Sequence, residues 1–481
     1  MRQETGSRRK GADGVLTYML DSTARTPLYE QLYHLIRRDI TAGVLKGGER
    51  LPSKRQLAQH LEVSQITVET AYGQLLAEGY LTSSPRRGYF VQKDLVAPPH
   101  PAAPARSPAE KSEPEKPRFR FDFKTNIVDT DCFPFSTWAR LSRAVLTDYA
   151  DRLLHESVPQ GEAELREAIR SYLLSFRGIE VPVEQIVVGA GSEYLLHLLI
   201  QLLGRERVYA LENPGYRKLY QIFETNGAFV RPIALDSKGL RVDLLGDASA
   251  VYLTPSHHFP TGVVMPVPRR MQLLQWAAEQ PGRYLIEDDY DSEFRYASRP
   301  MPALKELDRQ ERVIYLNTFA KSLAPSLRIG YMVLPRTLLE AYRERFSLYS
   351  SSVPSFEQHT LARFMESGAF ERHISRSRNV YKGRLEALLA ALRESPLAPL
   401  VEIRGSEAGL HILMRVNNGM REEELVRRAA EKGVRVYGLS SYYADGSRPE
   451  RATLILGYAG IDSARFREAV GLLCEAWLPE A

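Results

Sequence analysis

The chain has 481 residues, of which 44% are hydrophobic and 26% are charged, with a formal net charge of +5. This length exceeds one ordinary core, so two or three domains of a soluble globular protein are expected. No apolar run approaches the length that spans a bilayer, and the basic N-terminus lacks the apolar core of a secretory signal. We therefore expect a cytoplasmic protein with no membrane partner. The small positive excess is compatible with nucleic-acid binding but does not require it.

The two cysteines, Cys132 and Cys474, do not have the spacing of metal ligands. They are expected to be reduced, packed thiols, and no metal site is predicted.

A proline-rich stretch divides the chain. Residues 97–118 are APPHPAAPARSPAEKSEPEKPR, without a single large apolar side chain. Such a segment cannot bury enough surface to offset its ordering entropy, so a semi-extended connector is expected. We therefore predict a small domain over residues 20–93, a linker over 94–119 and a large domain over 120–481.

The small domain shows three helical patterns followed by a hairpin. The stretch TPLYEQLYHLIRRDITAG places its apolar residues on one helical face, and Gly43 ends it. Ser53 and Ser64 are the predicted N-caps of the second and third helices, and Ser53 forms a capping box with Gln56. Gly79 provides a left-handed stop. The stretch YLTSSPRRGYFV then predicts two short strands around a basic tip.

The segment LAQHLEVSQITV predicts two short helices joined by a tight turn, which places the second helix where it can enter a major groove. A small helical module for protein contacts is the alternative. Residues 27–91 resemble a GntR-type winged helix-turn-helix, with LPSKRQLA and VSQITVETAYGQLLAEGYL in the expected order. The resemblance implies contacts with double-stranded DNA from five residues: Ser53, Arg55, Gln65, Thr67 and Arg87.

Two positions depart from the GntR pattern. That family usually carries Arg where this chain has Gln65, and Gly where it has Arg86. Gln forms two hydrogen bonds with adenine, whereas Arg favours guanine, so a different operator is expected. Thr67 has a second interpretation as a helix-capping residue.

In the large domain, short apolar runs alternate with helices, which predicts a largely parallel sheet covered by helices. The runs are QIVVGAG, RVYALE, AVYLTPS, RYLIEDD, RVIYLNTF and YMVLP. From about Leu339 the pattern becomes rich in helices with a few late strands, which predicts a smaller α+β subdomain.

The same domain carries, in chain order, the parts of a covalent pyridoxal site. Such a site needs a lysine for a Schiff base, an acid for the pyridine nitrogen, an anion cup and an aromatic face. Lys321 lies in NTFAKSLAPSLRIGYMVLP, where Thr318 and Arg328 can converge on one phosphate. Gly191 and Ser192 begin a helix after an apolar run, and their backbone N–H groups can face an anion.

The acid and the aromatic face come from two other strand ends. Asp288 and Tyr290 follow a buried strand at its carboxyl end, where ligands collect in open α/β sheets. Tyr216, in ENPGYRKLY, can cover the ring face. Each part alone has an ordinary structural interpretation, such as a surface lysine or a solvated acidic loop. The ordered set of parts predicts a cofactor site.

Residues 120–481 resemble a fold-type-I aminotransferase, and with its N-terminal module the chain resembles the MocR/GabR group of bacterial transcription regulators. The resemblance implies pyridoxal 5'-phosphate joined to Lys321 as a Schiff base, and Asp288 at the pyridine nitrogen. It also implies Tyr290 at the ring oxygen and Tyr216 stacked on the ring. The phosphate ligands it implies are Gly191, Ser192, Thr318 and Arg328.

The same resemblance implies a homodimer that senses an amine, an amino acid or the cofactor itself. The carboxylate of an effector is expected to meet Arg451, or a basic residue near the ring-stacking tyrosine, Arg217 or Lys218.

One departure bears on function. Aminotransferases of this fold usually place Asn before Pro-Thr-Gly, whereas HHFPTG in this chain places Phe259 there. Phe cannot bond the ring oxygen, and His258 is open to two interpretations, a substitute or an ordinary loop histidine. The departure favours sensing, so we predict a pyridoxal-phosphate-dependent transcriptional regulator. The rivals are a working aminotransferase with an appended DNA-binding domain, and a DNA-binding scaffold with an inert C-terminal domain.

Overall fold

The computed structural model describes residues 9–10, 16–93, 119–125, 127–296, 301–449 and 451–478. The chain divides into two units, Met1–Lys116 and Pro117–Ala481. The predicted linker lies outside the described residues, except for its last residue. In the part of the chain that the structure describes, no helix is both long and apolar enough to cross a membrane.

The N-terminal unit has three helices and a hairpin, as the sequence predicts. Its elements are β1 (Arg9–Lys10), β2 (Leu16–Thr17), α1 (Leu28–Thr41), α2 (Lys54–His60), α3 (Gln65–Ala77), β3 (Leu81–Ser84) and β4 (Gly88–Val91). The predicted capping box of Ser53 with Gln56 is present, and the Ser64 hydroxyl caps α3. Gly79 has a φ of 78°, so the predicted left-handed stop is confirmed.

Packing in this unit turns one face of α3 outward. Leu32 and Ile36 of α1, Leu57 of α2, and Val68 and Leu75 of α3 belong to one buried cluster. β3 and β4 pair antiparallel and leave the basic tip of the hairpin at the turn. A helix whose inner side is buried in this way is free to present its outer side to a groove.

The C-terminal unit contains the remaining elements. Its strands are β5 (Phe121–Asp122), β6 (Ile186–Gly189), β7 (Val208–Asn213), β8 (Phe229–Asp236), β9 (Gly239–Leu240), β10 (Ala250–Leu253), β11 (Tyr284–Asp288), β12 (Val313–Thr318), β13 (Gly330–Val333), β14 (Val401–Arg404), β15 (His411–Val416), β16 (Val434–Arg435), β17 (Tyr437–Gly438) and β18 (Thr453–Gly457). Its helices are α4 (Phe135–Tyr149), α5 (Ala163–Tyr172), α6 (Ser192–Leu203), α7 (Arg217–Thr225), α8 (Val267–Ala278), α9 (Leu304–Leu307), α10 (Phe319–Ser322), α11 (Arg336–Phe346), α12 (Ser355–Glu366), α13 (Ala369–Arg393), α14 (Glu422–Glu431) and α15 (Phe466–Trp477).

An eight-stranded sheet forms the centre of this unit, in the order β6-β13-β12-β11-β10-β7-β8-β9. The strands β12, β11, β10, β7 and β8 are parallel, which confirms the predicted largely parallel sheet. β13 is antiparallel to both its neighbours, and β9 is antiparallel to β8. The sequence analysis did not identify β8 and β9. β8 is mostly solvent-accessible and therefore lacks the continuous apolar run that marked the other strands.

The predicted smaller α+β subdomain is confirmed. Its four-stranded antiparallel sheet has the order β14-β15-β18-β17. Buried side chains of α13, α14 and α15 share one core with β15 and β18, and Trp477 lies fully buried in it.

Candidate functional site

The candidate site lies at the carboxyl edge of the large sheet. Six strands end there. β7, β8, β10, β11 and β12 are parallel, and β6 points the same way because β13 is antiparallel to both β6 and β12. β13 begins at this edge, so Arg328, two residues before it, also lies there. A cavity of about 200 Å³ opens at the edge. The predicted site residues that line this cavity are Ser192, Tyr216, Lys218, Asp288, Tyr290, Thr318 and Lys321.

Lys321 is held by the short helix that follows β12. Thr318 is the last residue of β12 and caps α10, since its hydroxyl accepts a hydrogen bond from the backbone N–H of Ala320 at 3.2 Å. Burial of the Lys321 amine lowers its pKa to about 7, and the nearby Asp291 carboxylate opposes the shift. A large fraction of the amine is therefore neutral near pH 7, the form that attacks a carbonyl carbon.

Asp288, the last residue of β11, has one satisfied and one unsatisfied oxygen. The Tyr252 hydroxyl donates to Oδ2. Oδ1 is buried and has no hydrogen-bond partner among the described residues. Burial raises the pKa of Asp288 to about 7, and the neighbouring acids Asp289, Asp291 and Glu287 add to the increase. A cationic N–H at Oδ1 would stabilise the ionised carboxylate.

The adjacent acids of the run EDDYD have structural partners. The Asp289 carboxylate forms a buried ion pair with Arg177 at 2.9 Å and accepts a hydrogen bond from the Tyr315 hydroxyl at 2.6 Å. The Glu287 carboxylate accepts the backbone N–H groups of residues 304 and 305, at 2.9 Å each. Successive strand residues point to opposite faces of a sheet, so these partners fix β11 while Asp288 faces the cavity.

Arg328 and the start of α6 form a site suited to an anion. Gly191 precedes α6 with a φ of 83°. This φ favours glycine, and a Cβ atom at Gly191 would lie 3.2 Å from the guanidinium carbon of Arg328, closer than most side chains pack. The Arg328 guanidinium donates to the backbone oxygen of Ala190 at 3.1 Å. A guanidinium beside a helix N-terminus is a combination that binds phosphate.

Aromatic side chains form one wall of the cavity. The rings of Tyr216 and Phe259 meet edge to face with centroids 5.6 Å apart, and both line the cavity. The hydroxyl of Tyr290 donates to the backbone oxygen of His257 at 3.0 Å. The Tyr290 hydroxyl could therefore donate to a ring oxygen, as predicted, only by sharing or giving up its hydrogen bond to His257.

In the structure, His258 is buried and is held by a contact within its own loop. Its Nδ1 lies 2.7 Å from the Thr261 hydroxyl, the side chain is buried, and it is absent from the described lining of the cavity. Burial lowers the pKa of His258 to about 3, so the ring is neutral. This environment favours the ordinary loop histidine over a substitute for the missing Asn.

Sequence analysis missed Glu212, a buried carboxyl that lines the same cavity. Its Oε2 accepts the backbone N–H and the hydroxyl of Thr254, both at 2.9 Å, whereas Oε1 has no partner among the described residues. Burial raises the pKa of Glu212 to about 8. The available signal was an acid at the end of the apolar strand VYAL, directly before NPGY.

The three candidate cations for an effector carboxylate are dispersed. Lys218 lines the cavity and forms an ion pair with Glu193. Arg217 and Arg451 line two other depressions of this unit. The structure therefore brings only Lys218, of these three, to the Lys321 cavity.

Two of the predicted DNA contacts also have capping roles. The Ser53 hydroxyl bonds Gln56, and the Thr67 hydroxyl lies 2.8 Å from the Ser64 hydroxyl, as expected from the capping interpretation of Thr67. Arg55, Gln65 and Arg87 are exposed. The DNA roles of all five residues stay predictions.

Two family models match the chain. "Bacterial regulatory proteins, gntR family" matches residues 28–91, and "Aminotransferase class I and II" matches residues 125–473. The HTH-type transcriptional regulator YdeL of Bacillus subtilis (strain 168) is 40% identical, covering 96% of this chain and 99% of its own length. The probable rhizopine catabolism regulatory protein MocR of Rhizobium meliloti is 35% identical, with 96% of each chain covered.

The C-terminal unit is also similar to solved enzymes. The kynurenine aminotransferase of Pyrococcus horikoshii, solved in complex with PMP, has a TM-score of 0.66 and 28% identity. The match covers 76% of this chain and 93% of the enzyme. The match supports the predicted fold-type-I aminotransferase architecture.

Proposed function

Because the chain belongs to the MocR type of HTH transcriptional regulators, in which a GntR-type helix-turn-helix is joined to an aminotransferase-like domain, we propose how its ligand site works. The DNA-binding domain controls transcription, and the cavity of the C-terminal unit takes a small molecule. We infer that this molecule is an amine or amino acid that reaches a pyridoxal 5'-phosphate held at Lys321.

The residues of the cavity fit this cofactor. When bound, pyridoxal phosphate supplies an aldehyde carbon at which amines exchange. Lys321 would provide the amine that holds this carbon, and Asp288, whose Oδ1 has no hydrogen-bond partner among the described residues, would hold the pyridine nitrogen. The N-terminus of α6 and the Arg328 guanidinium would hold the phosphate, and Tyr216 would cover the ring.

The observation that carries the proposal is that the buried Lys321 and Asp288 line one cavity and that Oδ1 of Asp288 has no hydrogen-bond partner among the described residues. Burial lowers the pKa of Lys321 to about 7 and raises that of Asp288 to about 7. Each shift reflects the removal of a charged group from water, and perturbed groups that meet in a cavity are typical of ligand chemistry. A ligand with an aldehyde and a basic ring nitrogen would stabilise both groups.

Lys218 is the proposed partner for an effector carboxylate, because it lines the cavity and Arg217 and Arg451 do not. We further propose that the protein acts as a homodimer, since two linked DNA-binding units gain effective concentration on paired half-sites. Sedimentation equilibrium at micromolar concentration tests this, and a monomer would contradict it.

The cofactor assignment can be tested by mapping the covalent link. Pyridoxal phosphate is added to the purified protein, the link is reduced with borohydride, and tryptic peptides are analysed by mass spectrometry. The modification is expected on Lys321 and is expected to disappear in Lys321→Ala. Lys218→Ala is the matched control, because it removes a lysine from the same cavity and should retain the modification. A label on another lysine in the wild-type protein would contradict the assignment.

A further inference from the structure

The outer face of α3 combines polar, small and apolar residues. The exposed positions of this helix recur with helical spacing, so they share one side: Gln65, Ile66, Glu69, Thr70, Gly73, Gln74 and Ala77. Val68, Ala71, Tyr72 and Leu75 form the buried side. The side that faces away from the core is therefore the side that a groove would meet.

Ile66 is the large apolar residue of this face, and its side chain is open to a ligand. Its side chain is 73% exposed, and among the described residues 16–93 no other large apolar side chain on a helix is as exposed. Ile is β-branched and is a weaker helix former than Gln, Lys or Arg. Neither packing nor helix propensity therefore explains an isoleucine in the first turn of α3.

The groups around Ile66 suit a DNA groove. Gln65 and the hairpin residues Arg86 and Arg87 are exposed in the same unit. The one acid on the outer face, Glu69, pairs with Lys54 at 2.6 Å, which offsets its repulsion of phosphates. Thr70 and Gly73, one and two turns after Ile66, are small and leave room for a duplex.

We propose that Ile66 recognises the C5-methyl group of a thymine in the operator. In the major groove this methyl is the one apolar feature of the base edges, and apolar side chains contact it. With the predicted contact of Gln65 to adenine, the first turn of α3 would then recognise A·T base pairs on two counts. This inference rests on DNA binding by the N-terminal unit and does not depend on the cofactor proposal.

Removing single methyl groups from the DNA tests the inference. The full-length protein first selects a duplex from a pool of randomised DNA, which establishes sequence recognition independently of Ile66. Each thymine of that duplex is then replaced by deoxyuridine, which keeps base pairing and removes only the methyl. We expect one position per half-site at which this change weakens wild-type binding about fourfold, as for loss of one buried methyl.

The variants decide whether Ile66 makes the contact. Ile66→Ala is expected to bind the thymine and deoxyuridine duplexes equally at that position, and Ile66→Val is expected to keep most of the difference. Val44→Ala, an exposed apolar residue outside the helices of the unit, is the matched control and should keep all of it. Unchanged binding of Ile66→Ala to unrelated DNA reports an intact fold. An undiminished thymine preference in Ile66→Ala, or no preference in the wild type, would overturn the proposal.

Discussion

The two units of this molecule use side chains in opposite ways. The N-terminal unit exposes Arg55, Gln65 and Arg87, so their charged and hydrogen-bonding groups are in contact with water. The C-terminal unit places Lys321 and Asp288 at a sheet edge and removes them from water, which shifts the pKa of both. We therefore expect DNA recognition by the first unit to depend on geometry at the surface. In the second unit we expect ligand binding to depend on protonation states set by burial.

This difference predicts how substitutions will behave. A change in the cavity leaves a buried partner unsatisfied, which is costly, and its effect should be large and specific to one ligand atom. A change on the DNA-binding surface removes a side chain that is hydrated when DNA is absent. Its effect on DNA affinity should therefore be small and sensitive to salt.

Asp288→Asn is expected to give the largest effect. The substitution keeps the shape of the side chain but removes the charge that would face a pyridine nitrogen at Oδ1. Hydrogen bonds to charged groups contribute about 1.5–3 kcal/mol, so affinity for pyridoxal phosphate should fall roughly ten- to hundredfold. Titration of the protein with the cofactor, followed by absorbance, measures this.

Asp243→Asn is the control for that experiment, because Asp243 forms an exposed ion pair with Arg241 and does not line the Lys321 cavity. It should leave cofactor affinity unchanged. Equal affinity of wild type and Asp288→Asn would mean that the ring nitrogen does not face Asp288.

Turnover is expected to be slow. Phe259 stands where aminotransferases of this fold usually place Asn, and its apolar ring, which lines the cavity, cannot hydrogen-bond a ring oxygen. Working enzymes commonly reach about 1–1,000 turnovers per second, and we expect this protein to fall below that range. Oxo-acid formation from a panel of amino acids with an oxo-acid acceptor measures it. Turnover above about one per second would favour the rival aminotransferase function.

Glu212→Gln is expected to change the pH dependence of stability in the cofactor-free protein. Burial raises the pKa of Glu212 to about 8 from an ordinary value of 4.5. Its contribution to stability is therefore complete below pH 4.5 and is lost as the pH rises through about 8. Denaturant unfolding should show the wild type losing stability relative to Glu212→Gln across this window.

The comparison with Glu212→Gln measures the titration of Glu212 together with its coupling to two neighbours. Asp288 and His258 face Glu212, are present in both proteins and interact with its charge only in the wild type. Glu431→Gln, at an exposed ion pair with Arg427, should parallel the wild type at every pH. A constant difference between wild type and Glu212→Gln would show that Glu212 is already ionised in the folded protein.

The sequence analysis was most accurate for features that depend on residues close together along the chain. The capping box at Ser53 and the stop at Gly79 are set within a few residues, so the pattern determines them. Asp288 was identified at the end of a buried apolar run, and Lys321 from the resemblance of its segment to the lysine segment of aminotransferases. The two meet because parallel strands end at one edge. The fold class and the regulator family were confirmed.

The remaining features depend on contacts between distant segments. Nothing near Arg177 in the sequence indicates that it pairs with Asp289, and nothing near Tyr252 indicates its bond to Asp288. Arg451 precedes a strand of the smaller subdomain, and the sequence does not show which depression it would line. The polar partners of a buried acid are determined by the packing of the sheet, which spacing alone does not encode.

The smallest predicted effect belongs to Arg87, at the exposed tip of the hairpin between β3 and β4. A cation that contacts a phosphate releases about one counterion, so Arg87→Ala should lower the slope of log affinity against log salt by about one per DNA-bound unit. The loss should be the same on the selected duplex and on unrelated DNA, because phosphates carry no sequence information. Fluorescence anisotropy at several salt concentrations measures both. Arg25→Ala, an exposed cation before α1, is the matched control and should keep the wild-type slope. An effect of Arg87→Ala confined to the selected duplex would instead assign this residue to a base edge, and the hairpin tip would then share the sequence-reading role of α3.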